Sequence, residues 1–179
     1  MTKPVWHEPL VSRTQRWNKH GLSGATVWLT GLSGSGKSTI ANELARELLN
    51  TSRLAYILDA DNLRHGLSAG LGYSDDDRAE NIRRVAEVAC LFADSGIVAI
   101  VPIISPFIAS RDHARKIHQD NELRFVEVHV ATPIEECERR DTKGLYSKVR
   151  SGEMTGLSGV DSVYEPPKSP EITVGANNE

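Results

Sequence analysis

Residues 31 to 38 read Gly-Leu-Ser-Gly-Ser-Gly-Lys-Ser, which fits the pattern G-x-x-x-x-G-K-[ST]. No other stretch restricts the fold as strongly. Gly31, Gly34 and Gly36 allow backbone angles that a Cβ would penalise, and they let the main chain approach an anion closely. Successive N–H groups then point inward as a nest at the start of a helix. In such a nest Lys37 reaches the β- and γ-phosphates of a nucleotide, and the Ser38 hydroxyl ligates the Mg²⁺ that bridges them. The expected nucleotide-binding run is therefore Gly31, Leu32, Ser33, Gly34, Ser35, Gly36, Lys37, Ser38 and Thr39.

Context supports the motif. Residues 25–30 read as a buried strand entering the loop, and Ile40, Leu44 and Leu48 recur after it at helical spacing. A second short apolar run, 54–59, ends in Asp59. Two strands this close with a helix between them form a βαβ unit and imply a parallel sheet. Residues 66–77 are turn-rich, and a long helix is predicted from about Arg78 to Ser95, with Gly96 as its stop. Residues 97–104 are the most apolar run and should form a central strand, with Pro102 marking a bulge or the strand's end. Helix-like residues 108–119, an alternating strand at 124–130 and a helix opened by Pro133 follow. Polar, Gly-rich residues 142–165 suit a mobile lid, and residues 171–174 a last strand. The expectation is an α/β, three-layer P-loop NTPase fold with a mainly parallel sheet of about five strands, helices on both faces and a lid. Residues 1–23, containing Trp6 and Trp17, are expected to form an amino-terminal arm, and 24–179 the P-loop domain. The chain reaches Glu179 without the closing helix expected of this architecture.

Charge and residue usage exclude several roles. A net charge of -3 over 179 residues argues against general nucleic-acid or membrane-surface binding. No apolar run approaches membrane-spanning length and no signal-peptide core is visible, so a cytoplasmic enzyme is expected. Cys90 and Cys137 are read as two buried thiols, and the spacing of His113 and His118 suits no zinc site. A GTPase is excluded because Thr142-Lys143-Gly144-Leu145 lacks the aspartate of a guanine-reading motif. Motor and transporter ATPases are excluded because the 97–104 strand carries no acid. Small-molecule kinases place an acid at the end of the second strand, where Asp59 and Asp61 stand.

Further residues carry a closer likeness. The loop is followed by Asp59-Ala60-Asp61-Asn62-Leu63-Arg64, then by Asp77-Arg78-Ala79-Glu80-Asn81-Ile82-Arg83-Arg84. Ile104-Ser105-Pro106, Lys143-Gly144-Leu145-Tyr146 and Gly159-Val160-Asp161-Ser162 come after them. From Trp6 to Val174 the chain resembles the adenylylsulfate kinases. The resemblance implies transfer of the ATP γ-phosphoryl group to the 3′-hydroxyl of adenosine 5′-phosphosulfate (APS), giving 3′-phosphoadenosine 5′-phosphosulfate (PAPS). It implies ATP and Mg²⁺ as cofactors, a homodimer involving the arm, and no nucleic-acid or membrane partner. Asp61 is the expected group that orients the hydroxyl or holds the metal through water, with Asp59 as its magnesium-side alternative or a turn cap. Arg64, Arg78 and Asn81 bind the acceptor, since forked guanidinium donors suit phosphate and sulfate oxygens. Arg83 is either a further such donor or part of a solvated face. Ile104, Ser105 and Pro106 wall the acceptor pocket, with a phosphoserine at Ser105 as the minor reading. Lys143 closes over the phosphates, and Arg140 packs on the ATP adenine.

Three departures from the family pattern stand out. Ala60 replaces a glycine, Thr142 replaces a proline and should loosen the start of the lid, and Leu157 replaces a phenylalanine that with Tyr73 would sandwich the acceptor adenine. Leu157→Phe is accordingly expected to tighten acceptor binding. Two alternatives to the kinase reading follow from the same residues: a P-loop kinase for another small acceptor, and a catalytically weak nucleotide-binding module partnering an ATP sulfurylase.

Overall fold

The computed structural model describes residues 4–5 and 7–175. Trp6 of the arm and the last four residues up to Glu179 lie outside them. In chain order the elements are α1 (Arg13–His20), β1 (Ala25–Thr30), α2 (Lys37–Asn50), β2 (Ala55–Ile57), α3 (Ala60–Leu63), α4 (Asp75–Ser95), β3 (Val98–Pro102), α5 (Ile108–Asp120), β4 (Arg124–Val130), α6 (Ile134–Arg140), α7 (Leu145–Arg150) and β5 (Ile172–Val174).

All strand pairs are parallel, in the order β2-β3-β1-β4-β5. The two central strands alternate side chains between two cores, as a sheet covered on both faces requires. Trp28, Ala99, Val101 and Phe125 meet Ile82, Val85, Ala86 and Ala89 of α4 and Ala114 of α5 on one side. Leu29, Ile100, Val128 and Val130 meet Ala41 of α2 on the other. Pro102 is the last residue of β3, where a missing N–H costs no ladder bond. Gly96 ends α4 at φ 98° in the left-handed region, and a side chain there would meet Leu22 at 2.6 Å.

Three elements depart from expectation. Helix α4 begins at Asp75 rather than Arg78, because Ser74 Oγ accepts from Asp77 N at 3.2 Å and three aspartates occupy the positive end of the helix dipole. The arm contains helix α1, closed by a reciprocal capping box between Ser12 and Gln15. It lies against α4, with Trp17 Nε1 donating to Asp94 O at 3.0 Å and the Trp17 ring against Cys90, Ala93 and Leu123. The lid carries helix α7, and Asp141 accepts from Tyr146 N and Ser147 N at 3.0 Å each and from Ser147 Oγ at 2.7 Å. Those three bonds pin the start of the lid where Thr142 had suggested looseness, and the Ser147 hydroxyl leads in drawing the Asp141 carboxyl below its usual pKa.

Candidate active site

At the carboxyl ends of β1, β2 and β3 lies a cavity of about 690 Å³. Gly31 opens its loop at φ 149°, and a Cβ there would stand 2.5 Å from Val130 O. Thr132 Oγ1 donates to Ser35 O at 2.8 Å and Tyr146 Oη to Ser33 O at 2.9 Å. The loop is therefore held from outside by β4's successor and by the lid. Gly34, Gly36, Lys37, Ser38 and Thr39 line the cavity with Ser33, whereas Gly31, Leu32 and Ser35 lie behind it. Lys37 is 8% exposed and donates to Gly31 O at 2.9 Å and Leu32 O at 2.7 Å. Burial lowers its pKa to about 8.

Asp59 caps α3, its Oδ1 accepting from Asp61 N at 3.0 Å and Asn62 N at 3.2 Å. Both acids line the cavity, and the cap engages Asp59 with the backbone of α3 while the Asp61 side chain points to the lid. Ala60 takes the first helical position with no positive φ, so the loss of a glycine costs nothing there. Across the opening, Lys143 Nζ binds Asp61 Oδ2, with the two side chains 55% and 67% exposed. An ion pair so exposed is worth about 0–1 kcal/mol, so an arriving polyphosphate can part it.

The arginines line the same cavity. Arg64 lies 4.4 Å over the Tyr73 ring and donates to Leu71 O at 3.2 Å and Gly72 O at 3.0 Å. Arg78 donates to Tyr73 O at 2.9 Å, to Ser158 Oγ at 3.0 Å and to Gly156 O. It thereby joins α4 to the lid. Asn81 lines the cavity with them, 4% exposed, and its Oδ1 has no hydrogen-bond partner among the described residues. A buried acceptor left unpaired is costly, and a ligand hydroxyl or amino group would satisfy it. Arg83 does not join the cluster: its guanidinium binds Glu80 at 2.7 Å and lines a separate shallow groove. Arg84 binds the same Glu80 at 2.7 Å. Those two arginines, Arg83 first, hold the Glu80 carboxyl near a pKa of about 2.

Ile104, Ser105 and Pro106 form the floor. Ser105 is 1% exposed at φ 42°, and its Oγ accepts from Trp28 Nε1 at 3.1 Å. That engagement suits a wall residue better than a nucleophile. Arg140 lines the nucleotide end of the cavity, its Nε bound to Glu136 Oε1 at 2.7 Å.

Leu157 touches the cavity, yet it is 3% exposed and packed with Cys137, Tyr146, Leu32 and Val160. The structure thus reverses the outcome expected of Leu157→Phe. A larger ring must displace Cys137 or Tyr146, and overpacking of this kind costs about 1–3 kcal/mol. The variant should lose several degrees of thermal stability without a lower KM for the acceptor, measured by melting and steady-state kinetics.

Arg111 and Glu127 were not among the expected site residues, and with Glu165 they support the floor. Arg111 and Glu127 sit on α5 and β4 at positions that periodicity assigns to a helix face and a strand interior, and only a charge at an inward position hints at more.

A glycine loop with a buried lysine, an acid within the same cleft and arginines lining it define a P-loop phosphotransferase. The comparisons narrow that class. The sequence model described as adenylylsulphate kinase matches residues 23–175. The adenylyl-sulfate kinase of Clostridium kluyveri is 54% identical over 176 residues, 98% of this chain and 87% of the relative. A probable adenylyl-sulfate kinase of Halalkalibacterium halodurans is 52% identical over 170 residues, 95% of this chain and 83% of that one. The Mycobacterium tuberculosis APS kinase CysC, solved in complex with AMPPNP and APS, superposes with a TM-score of 0.84 at 54% identity, over 86% of this chain and 88% of that chain. This chain belongs to the adenylylsulphate kinase family.

Proposed function

We propose that this chain transfers the γ-phosphoryl group of ATP to the 3′-hydroxyl of APS, forming PAPS and ADP. The observation that carries the reading is one cleft lined by Lys37 of the glycine loop, by Asp61, and by Arg64, Arg78 and the unpaired Asn81. Phosphoryl transfer depends mainly on alignment and charge neutralisation, and these residues supply both. Lys37 and the loop amides hold the β- and γ-phosphates, and Arg140 flanks the adenine. Arg64 and Arg78 hold the phosphosulfate, Tyr73 offers a ring to the acceptor base, and Asn81 Oδ1 accepts from its ribose or amino group. Asp61 aligns the 3′-hydroxyl and takes its proton, while Lys143 leaves Asp61 for the transferring phosphoryl.

The residues fit Mg²⁺. Ser38 and Asp61 offer hard oxygen donors, and among the described residues no cluster of three or more metal-ligating side chains exists. Mg²⁺ suits such a site because it is commonly bound through one or two protein oxygens, water and substrate phosphates. When bound, the ion would neutralise charge on the β- and γ-phosphates. The working form is a cytoplasmic homodimer with residues 1–23 as an arm; no described helix is long and apolar enough to cross a membrane.

The test is product formation by purified protein given Mg²⁺, ATP and APS, with nucleosides and gluconate as competing acceptors. PAPS from APS alone is the expected result. ATP binding without PAPS would leave a nucleotide-binding module, and preference for another acceptor would leave a different kinase.

A further inference from the structure

We infer that Arg111 is a positioning residue for the acceptor site: its buried guanidinium fork locks the floor of the acceptor pocket to the returning leg of the lid. The inference rests on the reading of this cleft as an APS-binding site.

Arg111 is 2% exposed, on the first turn of α5. Its three guanidinium nitrogens each serve a different segment. Nε donates to Glu127 Oε1 on β4 at 2.9 Å. Nη1 donates to Ser105 O at 2.6 Å, and Nη2 to Glu165 O at 2.7 Å. The Glu127 contact balances the charge, since a buried guanidinium without a partner anion is costly. The two carbonyl contacts do something else. Ser105 is a non-glycine residue at φ 42° on the cavity floor, and such a conformation persists only where its surroundings over-determine it. Trp28 fixes its hydroxyl and Arg111 its carbonyl.

Glu165 lies three residues past the Gly159–Ser162 turn that packs on Leu32 and Arg78. It meets the floor again through its N–H to Pro106 O at 2.8 Å, and its carboxylate accepts from Ile108 N at the start of α5 at 2.7 Å. The planar fork therefore joins these two bonds in setting the spacing between the surface beneath the acceptor and the segment that follows the lid turn, and it alone ties both to Glu127. An ammonium carries its donors on a single nitrogen and does not reproduce the spacing of three nitrogens in one plane.

Arg111→Lys and Arg111→Met separate charge balance from positioning. Wild-type PAPS formation is measured first; its failure would overturn the functional reading, independently of Arg111. Given activity, Arg111→Lys is expected to keep most of the thermal stability, because a cation still faces Glu127. Its KM for APS is expected to rise at least about tenfold while the Kd for ATP stays within about twofold, the signature of a defect confined to one substrate. Arg111→Met should lose both stability and acceptor affinity. If lysine restores the APS KM along with stability, or if the ATP Kd rises together with the APS KM, Arg111 serves charge balance alone and the inference fails. It fails equally if neither variant folds, since Arg111 would then be a determinant of the fold and nothing more.

Discussion

Lys37→Met is expected to lower kcat by about 10²–10³-fold, the loss typical of removing one preorganised donor from a developing oxyanion. In the ligand-free chain the ammonium is held by Gly31 O and Leu32 O, so it is stationed at the loop rather than recruited to it. Burial is the leading cause that brings its pKa down to about 8. The sign of the consequence follows directly. A polyphosphate favours the charged form, so binding raises this pKa and takes up a proton whenever the free lysine is partly neutral. Near pH 8 about half of the free chains carry a neutral Lys37, and ATP binding should draw in about half a proton per site. Above that pH affinity falls as deprotonation competes with binding; well below it uptake vanishes. Calorimetric titration in two buffers of different ionisation enthalpy reads the proton directly. Lys37→Met should abolish the buffer dependence as well as the turnover. Uptake that persists in that variant would move the titrating group elsewhere.

The same residues show which parts of the molecule can be read from a linear sequence. Strands β1 and β3 are legible because parallel strands covered on both faces are nearly continuous apolar runs, β4 because its residues alternate, and α2 because its apolar residues recur at helical spacing. The glycine loop was legible because anion binding by backbone amides demands particular residues at fixed offsets. Helix α1 lacks a clear apolar period, and its sequence signals are the capping box Ser12-Arg13-Thr14-Gln15 and the left-handed stop at Gly21. The fork of Arg111 was not legible, since its three partners lie 6, 16 and 54 residues away and only the fold brings them together. The packing of Leu157 is hidden for a related reason. Its place beside Tyr73 came from a family pattern, while its side chain is committed to Cys137 and Tyr146 inside the lid. Local signals report backbone need, and they say little about which side of a wall a residue packs on.

Asp61→Asn tests the other end of the reaction. Asparagine keeps the size of the side chain and its place in α3, and Asp59, which caps that helix, is untouched. What is lost is the charge, and with it the ability to take the hydroxyl proton and to hold Lys143. Positioned proton transfer contributes about 10²–10⁴-fold, so kcat should fall within that range while the Kd for ATP changes little. Lys143→Met should fall less, by about 10²-fold, since it removes one stabilising cation among several. The double variant then discriminates between two accounts. If Asp61 and Lys143 act as one device, each freeing the other when substrates arrive, the double variant should be about as slow as Asp61→Asn alone, because residues in direct contact do not contribute additively. If their pairing in the free chain is incidental, the two losses should multiply. An Asp61→Asn variant within about threefold of the parent rate would remove this carboxylate from the chemistry altogether, and phosphoryl transfer here would then rest on the glycine loop, its lysine and the arginine wall.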